Sequence, residues 1–263
     1  MKNKKSFMEN PAVQGILSAL ICIVIGVLIG YIVLLVINPA EAGTGIMAIM
    51  KNFFNYPIGK IGMKYFGSTL VKTAPLIMCA LSICFCYKVG LFNIGAAGQY
   101  VVGAGVSLYT ALAWGLPWYL CIILAGLGGA LSGLLIGVLK AFLNVNEVIS
   151  GIMLNWISLY CVNMLLTGVK EPSSPYTLPL TGHGNAGLIP SLGLSTLFNN
   201  DKVTIAIPLS ILFAILVWVI LDKTKFGYEL KATGYNKNAA KYAGMKEKKN
   251  IIIALAIGGA LAA

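Results

Sequence analysis

From Ala12 to Ile37 the chain carries no charged side chain, and a run of that length and apolarity has few places to go. About 20 apolar residues make a helix long enough to cross the hydrocarbon of a bilayer. Similar runs recur at about residues 67–86, 100–114, 117–139, 148–167 and 203–221, followed by a shorter one over 251–263. The chain therefore reads as an all-α, polytopic transmembrane helical bundle of six full spans and a truncated seventh. With 58% hydrophobic and 10% charged residues, it lies outside the composition of a water-soluble domain. The last run is shorter than a span, so the chain as given is expected to stop inside a helix.

Met1–Lys5 ahead of the first run gives it the look of a secretory signal. The run is longer than an h-region of roughly 7–15 residues and no small-residue cleavage pattern closes it, so an uncleaved span is expected. The net charge of +11 comes from lysine alone, since the sequence contains no arginine. That argues against bidentate recognition of phosphates or bases. With the N-terminus cytoplasmic and six spans alternating, Lys2, Lys4, Lys5, Lys88, Lys140 and all lysines from Lys223 to Lys249 fall inside. Only Lys51, Lys60, Lys64, Lys170 and Lys202 fall outside, which agrees with the positive-inside rule. Residues 38–66 and 168–202 are then extracytoplasmic loops, and 222–250 is a cytoplasmic loop. Within 38–66, Ile46, Met47, Ile49, Met50, Phe53 and Phe54 recur near helical spacing and predict a short interfacial helix.

Chemistry is sparse. Cys22, Cys79, Cys84, Cys86, Cys121 and Cys161 all fall in apolar runs and read as small buried hydrophobes. The single histidine, His183, has neither cysteine nor carboxylate company and reads as a loop residue. The one candidate for a carboxylate within the spans, Glu147, sits at a span edge, and no phosphate-binding Gly-x-x-x-x-Gly-Lys-Ser/Thr occurs. No metal or catalytic group is expected in this chain. If the protein transports, the energy comes from another chain.

Three stretches remain. Gly90-Leu-Phe-Asn-Ile-Gly-Ala-Ala-Gly-Gln99 places glycines and uncharged amides between two apolar runs. This suits either a tight turn between spans or a broken helix whose freed backbone groups are satisfied by Asn93 and Gln99. In the span near 148–167, Gly151, Asn155, Ser158 and Asn163 share a face about 140° wide on a wheel of about 100° per residue. That face should point into the protein, as helix-packing glue or as the lining of a polar path. Gly129-xxx-Gly133-xxx-Gly137 predicts close approach of a neighbouring helix, and Gly26-xxx-Gly30 gives the first span a smooth face. On the cytoplasmic side, Asn238–Ala243 predicts a short helix bounded by Gly234 and Gly244, of a size that fits a groove on a partner.

Gly90–Gln99, Asn146-Glu-Val-Ile-Ser-Gly-Ile-Met-Leu-Asn155 and Gly227-Tyr-Glu-Leu-Lys-Ala-Thr-Gly-Tyr-Asn236 with Ala239–Gly244 resemble, in order and spacing, the permease subunits of ABC importers for nucleosides and related simple sugars. Members of that family are longer, and many carry an acidic residue where this chain has Ala97. The resemblance implies an inner-membrane subunit that pairs with a second permease and receives solute from an extracytoplasmic binding lipoprotein. It also implies docking of cytoplasmic ATPase subunits, which bind the ATP and magnesium, through the Ala239–Gly244 region. On this reading Asn93, Gln99, Asn155 and Asn163 border the substrate path, and Glu229, Gly234, Asn236, Ala239, Ala240 and Gly244 belong to ATPase coupling. A passive channel and a membrane scaffold are the competing functions; the first gives the Ala239–Gly244 segment no special role.

Overall fold

The computed structural model describes residues 11–54, 60–183 and 185–263. Lys2, Lys4 and Lys5, and the side chains of Phe53, Phe54, Lys60 and His183, lie outside what is described. The chain divides after Gly62 into two compact units. In the first, helix α1 (Pro11–Ile37) is followed by α2 (Ala42–Phe54), the short helix predicted for this stretch. The two touch where Leu34 lies against Gly45.

Helix α3 (Lys60–Tyr87) leads into the second unit and is continuous through Pro75. After it come α4 (Ala96–Trp114), α5 (Trp118–Leu143) and α6 (Glu147–Leu166). Among the described residues, the segment to residue 202 holds the short helices α7 (Leu180–His183) and α8 (Leu194–Phe198), two 3-10 turns and one antiparallel bridge between Lys170 and Thr177. Its end is tied to α3: the Asn200 amide donates to the Lys64 carbonyl at 3.0 Å and to Ser68 Oγ at 2.9 Å. Helix α9 (Ala206–Lys223) then precedes α10 (Lys225–Tyr235), α11 (Lys237–Tyr242) and α12 (Glu247–Ala262).

Among the described residues, five helices are long and apolar enough to cross a membrane: Val13–Ile37, Gly62–Tyr87, Trp118–Leu143, Glu147–Val169 and Ala206–Lys223. The run expected to span at 100–114 does form a helix, α4, but it is not one of the five. Gly98, Gln99, Gly103 and Gly105 dilute its apolarity and are accommodated because α4 packs among α5, α6 and α12. A helix walled by protein has less need of a uniformly apolar surface.

The predicted glycine ridge on α5 meets α12. A Cβ at Gly133 would fall on the Leu255 carbonyl, one at Gly129 on the Gly259 carbonyl, and one at Gly137 within 2.9 Å of Ile252 Cα. Without side chains between them the backbones approach closely enough for dispersion contacts along the whole seam. Around it Phe85, Leu91, Ile136, Leu230 and Leu255, all essentially inaccessible, draw α3, α5, α10, α12 and the turn after α3 into one core. The cysteines divide: Cys86 and Cys121 are buried as expected, whereas Cys22, Cys84 and Cys161 lie on outward faces of α1, α3 and α6.

Candidate functional site

Helix α3 ends at Tyr87, and the chain turns at Gly90 with φ +73, a left-handed conformation that suits glycine. The descent to α4 is not a solvated loop. Val89, Leu91, Asn93, Gly95, Ala96, Gly98 and Gln99 are buried, so the turn is an internal element of the bundle. Burial makes its polar groups costly unless each finds a partner. Asn93 Nδ2 donates to Ser82 Oγ at 2.9 Å and to Gln99 Oε1 at 2.8 Å, while Gln99 Nε2 returns a 3.4 Å bond to Asn93 Oδ1.

The backbone freed by the break is served from α6. Asn155 Oδ1 accepts from the Gly98 N–H at 2.8 Å, and Asn155 Nδ2 donates to the Ile94 carbonyl at 3.1 Å. Close approach makes this possible: a Cβ at Gly98 would lie 2.7 Å from Asn155 Cα, and one at Gly151 would lie 2.8 Å from Gly95 N. The job anticipated for Asn93 and Gln99 is thus done by Asn155, and the other two amides lock the turn to α3 and α4.

Three of the four amides assigned to a path therefore come together, but they face each other and the backbone. Asn163 does not join them and is exposed on α6. The buried residues of that helix are Ser150, Gly151, Ser158 and Val162, with Asn155 half-buried, and Asn163 is turned about 100° from Val162. A cavity of about 590 Å³ lies between α3, α4, α5, α9 and α12, mostly apolar with Tyr100, Ser107, Lys202, Thr204 and Ser210 on its wall, and none of the four amides lines it. Ala97, in the first turn of α4, is exposed.

The basic segment after α9 was expected as a loop with one short helix over Asn238–Ala243; that helix forms as α11, and α10 is helical where loop was expected. Thr224 caps α10 by accepting from the Gly227 N–H at 3.1 Å, and Asn236 caps α11 by accepting from the N–H groups of Asn238 and Ala239, both at 3.0 Å. Gly234 does not bound the short helix as expected; it lies within α10, where a Cβ would strike the Lys88 carbonyl. Gly244, with φ +80, does end the α11 turn. The Glu229 carbonyl accepts from Thr233 Oγ1 at 2.8 Å and from Asn250 Nδ2 at 3.5 Å, and Asn250 also donates to Thr233 Oγ1 at 3.0 Å. This joins α10 to the first turn of α12.

The outward surface is made by Tyr235, Ala239, Lys241, Tyr242 and Ala243, with Tyr235 and Tyr242 91% and 94% exposed. Ala240, assigned to docking from the sequence, is turned inward and only 3% exposed. Lys140 Nζ and Glu147 Oε2 pair at 2.8 Å and join α5 to α6. Sequence reasoning passed over Ser82, Thr233 and Asn250. Each is one small polar residue in an ordinary helical run, and only the fold shows its partner.

Residues 65–263 match a family described as the branched-chain amino acid transport system / permease component. The chain is 34% identical over 251 residues to the guanosine ABC transporter permease protein of Bacillus subtilis, covering 94% of this chain and 69% of that protein. It is 32% identical over 270 residues to a nucleoside ABC transporter permease protein of Lactococcus lactis, covering 96% and 70%. A glucose ABC transporter permease protein of Haloferax volcanii is 30% identical over 211 residues, covering 75% and 55%. No solved structure matches. With its membrane-length helices and the motif-bearing turn and helices just described, the chain belongs to this family of ABC importer permease components, multi-pass proteins of the cytoplasmic membrane.

Proposed function

We propose that the chain is the permease subunit of an ABC importer for nucleosides or closely related sugars. The observation that carries the substrate class is the similarity over more than nine-tenths of the chain to permeases named for guanosine and nucleosides. The glucose permease is matched over a smaller share, 75% of this chain and 55% of its own length. Partner ATPase subunits bind ATP and magnesium, and they dock on α11. The exposed surface of Ala239, Lys241, Tyr242 and Ala243 supports this, since the small Ala239 and Ala243 beside an outward tyrosine let a partner's groove close over the helix. A second permease and an extracytoplasmic binding lipoprotein complete the assembly.

The amides act differently from ligand contacts in this reading. Asn93, Gln99 and Asn155 have their hydrogen-bonding atoms engaged within the chain, so they position the turn after α3 and do not need to leave those partners for a solute. Asn163, exposed on α6, keeps an amide free for the path.

Radiolabelled guanosine, uridine and ribose offered to proteoliposomes holding the permease, its ATPase and its binding protein test the function. Nucleoside uptake that needs both ATP and the binding protein is expected. Flux without ATP would establish a passive channel, and uptake of ribose alone would move the substrate class to sugars.

A further inference from the structure

Resting on the reading of α11 as the ATPase-docking helix, we infer that the turn from Lys88 to Gln99 is the mechanical link that carries movement of α10 and α11 to α6. One end of this turn is gripped by α10. A Cβ at Gly234 would strike the Lys88 carbonyl and lie 3.0 Å from the Val89 carbonyl carbon and 3.1 Å from Gly90 N. Reciprocally, a Cβ at Gly90 would lie 3.3 Å from the Gly234 carbonyl oxygen. Here backbone rests on backbone, with no side chain between to change rotamer and absorb a shift. Only Asn236 separates α10 from α11, and its side chain caps α11, so the two short helices are joined through a single ordered residue.

The other end is gripped by α6. Asn155 holds the Ile94 carbonyl and the Gly98 N–H, and Gly98 lies directly against its backbone. Between the two grips, Asn93 binds Ser82 and Gln99 in a buried knot. A segment packed and hydrogen-bonded in this way moves as a unit, because close-packed interiors shift between arrangements and do not compress. Gly234 and Asn155 are accordingly positioning residues at the two ends of one element. The link also explains why an amide on a spanning helix is directed at the backbone of a distant turn.

Coupling energy between the two ends is the property that mere structural support lacks. In the assembled importer, Asn155→Ala and Gly234→Ala are each expected to lower guanosine moved per ATP hydrolysed about tenfold. ATPase co-purification should stay at the parent's level, and the double variant should be no worse than the worse single. Multiplicative losses in the double variant, about 100-fold, would overturn the link. Co-purification unaffected by Tyr242→Ala together with Ala239→Trp would remove the docking reading, and the link with it. Should Gly234→Ala fail to assemble, a nitroxide on the native, outward-facing Cys161 of α6, in a Cys22→Ser, Cys79→Ser, Cys84→Ser background, gives a separate reading. Its spectrum should change on ATP addition in the parent and stay fixed in Asn155→Ala; a change that survives in Asn155→Ala overturns the proposal.

Discussion

The turn between α3 and α4 and the segment around α11 use the same materials and meet opposite surroundings. Each is short, carries glycine at a left-handed turn (Gly90 and Gly244) and depends on an amide to satisfy its backbone. In the first, Asn93 and Gln99 are buried and every amide bond runs to another part of the bundle. In the second, Asn236 serves only its own next turn, and Tyr235 and Tyr242 stand almost fully exposed. The difference teaches what each can do: a buried amide cluster fixes the relation between helices, while an exposed capped helix is free to meet a second molecule.

That contrast can be broken most strongly at Gly98. A valine there would drive its Cβ to 2.7 Å from Asn155 Cα, so Gly98→Val is expected to abolish monodisperse permease in detergent, as judged by size-exclusion chromatography. Ala240→Trp belongs to the same class, because that alanine is inside, and its loss of folded protein would follow from its burial. Next comes Asn93→Ala, which leaves the Gln99 carbonyl and Ser82 without their donor and should cost about 1–3 kcal/mol, read as a lowered thermal midpoint. Asn236→Ala removes only a cap and should cost about 1 kcal/mol. Tyr242→Ala should leave the thermal midpoint of the permease where it was and lower ATPase co-purification. If it destabilised the permease as much as Asn93→Ala, the contrast between the two regions would fail.

The glycines offer a parallel lesson in what sequence conveys. Gly26-xxx-Gly30 on α1 and Gly129-xxx-Gly133-xxx-Gly137 on α5 are the same motif, but among the described residues of its own unit nothing outside its own helix lies within 4 Å of the Cβ positions of the first pair, while the second is pressed on α12. The motif permits close approach and does not name the partner. Apolar runs made the membrane-length helices legible because length and charge depletion need no tertiary context. Helix α4 was less so: its Gly98, Gly103 and Gly105 are tolerated by α6 and α12, neighbours that lie far along the chain.

In α6, the helical period put Gly151, Asn155 and Ser158 on the inward face but extended that face to Asn163, which is exposed, because only the position of α4 sets the centre of the face. The centre falls between Gly151 and Val162, and Asn163 is left outside. The same limit applies at α11, where six residues make under two turns and no periodicity distinguishes the inward Ala240 from the outward Ala239. Gly234 was read as a helix end because glycine is common there, whereas its place inside α10 answers to the Lys88 carbonyl, a contact that spans much of the chain.

The most direct test of the account is the concentration dependence of ATP-driven guanosine uptake by Asn155→Ala beside the parent importer. If Asn155 positions the turn and does not touch the solute, the maximal rate falls while the half-saturating guanosine concentration stays unchanged. A raised half-saturation concentration with an unchanged maximal rate would place Asn155 against the ligand and contradict the account.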